Sequence, residues 1–124
     1  MSRSFNDHLG LRRSEDGETI VLDPKPEHQI MPGTIHFAVL TTIAEVAAAG
    51  SVGAAVVPAS VHVELLRRAV ADRRLEGRGT LLRRGRRLAV AEGEVVQGNR
   101  LVAKATVTFA VLDQDQKPSS GSRS

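Results

Sequence analysis

The sequence predicts an α+β domain, with an antiparallel sheet of about five to six strands wrapped around one long helix. Three observations predict it. Residues 35–49, IHFAVLTTIAEVAAA, form the one stretch with sustained helical periodicity. Four extended segments follow it, at 56–66, 75–84, 87–96 and 101–111, joined by short turn-forming sequences. Two shorter extended runs precede it. Strands grouped apart from a single helix argue for an antiparallel meander rather than parallel strands joined by crossover helices.

Taken in order, residues 1–9 read as a short amphipathic helix or cap with Phe5 and Leu9 as its apolar contacts. LGLRRSEDGETIVLDP then reads as a hairpin turning at SEDG, and Pro24 and Pro26 end it because proline supplies no ladder donor. Residues 27–35 read as a loop with turn chemistry at Pro32-Gly33, and Thr34 as the helix N-cap. In the helix, Phe37, Leu40, Ile43, Ala44 and Ala47 recur on one apolar face, Thr41, Thr42 and Glu45 lie on another side, and Gly50 stops it.

In the first long strand Val61, Val63 and Leu65 point one way and Ser60, His62 and Glu64 the other, with Pro58 at the strand start or a bulge. Gly77 and Gly79 read as bends. RRGR around Gly85 and QGNR around Gly98-Asn99 are hairpin turns. Leu101, Ala103, Ala105, Val107 and Phe109 share a face of the last strand. One domain over 1–112 and a disordered polar tail over 113–124 are expected.

Composition limits the function. There is no cysteine among the 124 residues, which excludes disulfides, thiolate metal sites and Cys nucleophiles. The four His show no ligand spacing, so no metal site is expected. Trp and Tyr are absent, which argues against stacking nucleobases. No segment has the length and apolarity of a membrane span, and MSRSFNDHLG lacks a signal peptide's apolar core; a cytoplasmic protein is expected. The net charge of +3 conceals a concentration of arginines: Arg67, Arg68, Arg73, Arg74, Arg78, Arg83, Arg84, Arg86 and Arg87 crowd together. Such a run serves either as a solvated face or as a contact for a phosphate-bearing partner.

The stretch from Gly33 through His36 to Glu45 carries the chemistry. A carboxylate on a helix wall among small residues can act as base or nucleophile, and a helix N-terminus offers free N–H groups and a positive dipole end to a carbonyl oxygen. Nine residues separate His36 from Glu45, which puts them half a turn apart on the helix. They cannot converge within one chain.

Gly33, His36 and Glu45, with the strand sequence VHVELLRRA and the closing segment from Leu81 to Leu112, resemble the PaaI-like, 4-hydroxybenzoyl-CoA-thioesterase-type hot-dog family over about residues 5–112. That resemblance implies a hot-dog fold dimerising through its sheet, with dimers pairing further. It implies hydrolysis of acyl-CoA or aroyl-CoA at the subunit interface, with coenzyme A as part of the substrate and no separate cofactor. Glu45 of one chain would act as base or nucleophile opposite the other chain's helix N-terminus at His36 and Phe37. Gly33, Thr41, Thr42 and Ser60 would line the substrate, and Arg83, Arg84 and Arg86 would contact phosphates.

The sequence departs from the family pattern on that wall. Ile30 stands where Asn is usual, with Gln29 and His28 as its polar neighbours, and Phe37 and Ala38 replace two glycines. Phe37 would either narrow the approach to the backbone N–H or point inward. The alternative function is therefore a non-catalytic hot-dog protein that binds acyl-CoA or a protein partner. The arginine run alone would allow a basic nucleic-acid module, which the missing aromatics oppose.

Overall fold

The long helix lies against the inner face of a curved six-stranded antiparallel sheet. The structure, a computed structural model, describes residues 4–112. The expected tail lies outside them. The helix α1 spans Phe5–Leu9, β1 Arg12–Arg13 and β2 Ile20–Leu22; a 3-10 turn at Pro26–His28 follows, then β3 Gln29–Met31, β4 Thr34–Ile35 and α2 Phe37–Gly50. The long strands are β5 Val56–Leu65, β6 Leu75–Arg84, β7 Leu88–Gln97 and β8 Arg100–Val111. The main sheet runs β1-β2-β6-β7-β8-β5, and β3 and β4 form a separate two-stranded pair. The expected architecture is borne out.

Close backbone approach sets the packing of α2. A Cβ on Gly79 would overlap the Ala47 carbonyl oxygen, and one on Gly93 the Ala44 oxygen. A Cβ on Gly77 would lie 2.5 Å from Ile43 Cγ2. Gly77 and Gly79 are therefore not bends, as their sequence context implied, but interior residues of a continuous strand whose missing side chains admit the helix. Gly79 pairs with Gly93, which pairs with Ala105, which pairs with Val63. Side chains grow along that row, so α2 settles over the β6–β7 end.

The helix buries Val39, Leu40, Ile43, Ala44, Ala47 and Ala48 against Leu22, Leu75, Val95, Val107 and Phe109. Full burial of side chains such as Ile43, Leu22 and Phe109 contributes roughly 1.5–3 kcal/mol each. Three expectations need correction. Phe37 does not join the apolar face but stands 54% exposed, stacked on the His36 ring. The N-cap is His36 rather than Thr34: its Nδ1 accepts the Ala38 N–H at 2.9 Å, while Thr34 is taken up by β4. Residues 27–35 are not a plain loop, because β3 and β4 pair across the Pro32-Gly33 turn, where Gly33 adopts φ +85°.

Elsewhere the reading of local elements holds, with two additions. Leu9 packs on the core, but Phe5 is 68% exposed. Register shifts at Pro58 confirm a bulge there. A second shift at Val95/Val96 changes the alternation in β8, so Val102 and Ala103 are both buried and Leu101 is not.

Gly93→Ala is expected to destabilise the domain by about 3 kcal/mol, the upper end of overpacking costs, since the clash is with helix backbone rather than a movable side chain. Urea unfolding of the variant beside the wild type measures it.

Candidate functional site

Glu45 owes its position to the glycine contacts. Ile43 faces Gly77 on β6 and Ala44 faces Gly93 on β7. Each residue turns a helix by 100°, so Glu45 continues the rotation toward the β8–β5 end of the sheet. Thr41 and Ala48 flank it on neighbouring turns. The side chain is half-buried, and none of the ion pairs among the described residues includes it. Desolvation raises its pKa above the ordinary glutamate range. An unpaired carboxylate of raised basicity can accept a proton or attack a carbonyl carbon.

At the other end of α2, His36 and Phe37 stack with ring centroids 4.6 Å apart. His36 Nδ1 accepts the Ala38 N–H and so takes that donor out of reach. The Phe37 N–H makes no hydrogen bond among the described residues and remains the first-turn donor open to a ligand. The Phe37 ring forms one wall of a groove of ≈ 290 Å³ with Ile35, Leu40, Leu65 and Leu66, and Arg67 and Arg68 stand at its rim. Gly33 sits beside it, with Arg68 Nη2 3.9 Å from where its Cβ would be.

The remaining candidates are dispersed. The Thr41 and Thr42 hydroxyls donate to Phe37 O and Ala38 O at 2.9 and 2.8 Å, so their protons are engaged in the helix. Ser60 pairs with Thr108, Thr108 with Val90 and Val90 with Arg83, a row on the sheet face turned away from α2. Arg83 and Arg86 line a groove of ≈ 370 Å³ with Leu88 and Val90 on that outer face, and Arg84 is exposed beside them. The β6–β7 turn extends past the C-terminal end of α2, roughly 25–30 Å from Phe37 by strand and helix rises. Within one chain, then, Glu45, the helix N-terminus and the hairpin arginines stand apart.

The polar neighbours of Ile30 are both committed. His28 is buried, its Nδ1 accepting the Lys25 N–H at 2.9 Å and its Nε2 donating to Leu9 O at 2.8 Å. Gln29 Oε1 accepts the Gly33 N–H at 2.7 Å and braces the β3–β4 turn. The sequence singled out Arg67 and Arg68 only as members of the arginine run, and the structure places them at this groove.

The family model for the acyl-CoA thioesterase N-terminal domain matches residues 26–110. The chain belongs to this family. Solved structures agree. A variant of the phenylacetic acid degradation protein PaaI from Thermus thermophilus is 29% identical, with a TM-score of 0.75, covering 87% of this chain and 98% of that one. A conserved protein of Pseudomonas aeruginosa is 27% identical, with a TM-score of 0.79 and coverages of 90% and 96%. A thioesterase of Haemophilus influenzae, at 23% identity, a TM-score of 0.80 and coverages of 90% and 85%, shares the fold. A comparison with curated protein sequences finds no match. The chain is thus a hot-dog-fold member of the thioesterase superfamily, and no helix among its described residues is long and apolar enough to cross a membrane.

The raised Glu45 pKa has a definite sign in stability. The folded state holds the proton more tightly than the unfolded chain, so stability falls as pH rises through the folded-state pKa. Glu45→Gln should be relatively more stable than wild type above that window and equal to it well below, in urea titrations from about pH 3.5 to about pH 7.

Proposed function

We propose that this chain hydrolyses an acyl-CoA or aroyl-CoA thioester as a homodimer, with Glu45 as base or nucleophile and the other subunit's Phe37 N–H as oxyanion donor. The observation that carries the reading is Glu45 itself, a half-buried carboxylate without an ion partner on the flank of α2 that turns toward the β5 end. Among the described residues β5 pairs only with β8, which leaves its other edge of ten residues open there. Val57, Val61 and Leu65 along it are 46%, 43% and 52% exposed. A two-fold axis beside β5 joins the sheets edge to edge and sets the helices antiparallel. The N-terminus of one helix then meets Glu45 of the other, which answers the half-turn separation within each chain. Dimers pairing again, and a cytoplasmic setting, belong to the same reading. No separate cofactor enters it.

In hydrolysis a water oxygen forms a bond to the thioester carbon, the C–S bond breaks and the thiol sulfur takes up a proton. As base, Glu45 accepts the water proton. As nucleophile, its carboxylate oxygen forms the first C–O bond, and water then opens the anhydride. Phe37 N–H stabilises the oxyanion in either case. The groove of Ile35, Leu40, Leu65 and Leu66 receives apolar substrate atoms. A second reading, binding of acyl-CoA without turnover, is favoured by the exposed Phe37 ring standing at the groove where the family pattern has glycine.

A panel of acyl-CoA and aroyl-CoA thioesters, assayed with a thiol reagent, separates these readings. Glu45→Ala should lower kcat/KM by roughly 10²–10⁴-fold. In the wild type, activity should rise with pH through a limb lying above the ordinary glutamate range, because the carboxylate must be ionised and burial raises its pKa. Turnover unchanged in Glu45→Ala removes Glu45 from the mechanism. Binding with no turnover of any thioester decides for the second reading.

A further inference from the structure

The arginines concentrated in the sequence separate in space, and Arg74 and Arg78 are ion-paired with Asp23 and Glu76. Arg83, Arg86 and Arg87 belong to the outer groove at the β6–β7 turn. Arg68, by contrast, borders two concavities at once. One is the groove beside Phe37; the other is a pocket of ≈ 260 Å³ lined also by Arg73, Arg100, Gln97 and Asp72. Three arginines and one acid thus line a small pocket, and none of the three arginines is ion-paired among the described residues.

The segment from 66 to 73 that carries two of these arginines is held at nearly every step. Leu66 N–H and Arg67 N–H donate to Val102 O, at 2.9 and 3.2 Å. Ala69 O accepts from Ile35 N–H at 3.0 Å, and Ala71 N–H donates to Gly33 O at 3.1 Å. Gln97, only 5% exposed, accepts the Val70 N–H at 2.9 Å and donates to Val70 O and Arg73 O at 2.8 and 3.0 Å. Its whole carboxamide is spent on fixing the backbone beneath Arg73. A fixed backbone leaves only side-chain freedom to be lost when these arginines meet an anion, and the planar donors of a guanidinium match phosphate oxygens in pairs.

We propose that this Arg68–Arg73–Arg100 pocket binds the phosphate groups of coenzyme A, while the acyl-thioester end lies in the adjoining Phe37 groove and Arg68 stands at the boundary. The assignment rests on the thioester reading for its ligand. Coenzyme A carries its phosphates and its thioester at opposite ends of the pantetheine arm, so one molecule requires two neighbouring subsites, one polar and cationic and one apolar. The two concavities sharing Arg68 meet that requirement within a single chain, and the hairpin arginines do not.

Calorimetric titration of the full chain with coenzyme A and, separately, with pantetheine tests this. Arg73→Ala/Arg100→Ala should weaken coenzyme A binding roughly tenfold or more while shifting pantetheine affinity by less than about twofold. Both side chains are exposed, so a circular-dichroism melt should match wild type. The proposal is overturned by coenzyme A affinity that does not change, by equal losses for both ligands, by a larger loss in Arg83→Ala/Arg84→Ala/Arg86→Ala, or by a wild type that does not bind coenzyme A. The readout is binding alone. A chain that binds in the expected way yet hydrolyses nothing refutes the hydrolase and keeps the pocket; a hydrolase whose double variant binds normally refutes the pocket alone.

Discussion

Contact between the backbone of α2 and the glycines of β6 and β7 is the constraint on which the rest of the molecule depends. With no Cβ at Gly79 and Gly93, the carbonyls of Ala44 and Ala47 come to within van der Waals reach of the strands. Any side chain there would hold the helix away from the sheet. The close seat also fixes rotation, because Ile43 and Ala44 are pinned to neighbouring strands. Once those two are fixed, helical geometry leaves Glu45 one direction to face. The position of Glu45, half-buried and without an ion pair among the described residues, thus follows from glycines on β6 and β7.

How much of this the sequence disclosed depends on the range of the interaction. The helix, the long strands and the hairpin turns were legible because each rests on local periodicity or turn chemistry, and Glu45 was legible from its place on that helix. Gly77 and Gly79 were not, because a glycine in a strand signals a bend and a close approach in the same way, and only the partner element distinguishes them. Local sequence favours Thr34 as the cap, since threonine caps helices more often than histidine does. Its pairing in β4 is a tertiary fact. Gln97 and the segment it braces were invisible, since its partners at Val70 and Arg73 lie more than twenty residues away.

The N-terminus of α2 and the residues before it show how the chain accommodates its departures from the family pattern. His36 caps the helix with its own ring and takes the Ala38 N–H out of reach, leaving Phe37 N–H as the open donor. His28 and Gln29, which flank Ile30, hold α1 and the Gly33 turn in place rather than facing a ligand. The polar side chains of His28, Gln29 and His36 are spent on architecture. The groove keeps the Phe37 ring, apolar side chains and the rim arginines Arg67 and Arg68.

Two free-energy costs stand on the same side of the monomer. A desolvated carboxylate without a partner is unfavourable, and so is a ten-residue strand edge with exposed Val57, Val61 and Leu65 beside it. A second chain paired along β5 offsets the second cost by ladder hydrogen bonds and apolar burial. It does not remove the first. In the proposed dimer it deepens the desolvation of Glu45 and sets the positive end of a helix across from it. In that proposed dimer the edge pairing supplies the stability, desolvation raises the basicity of Glu45, and the helix end across from it opposes part of that rise.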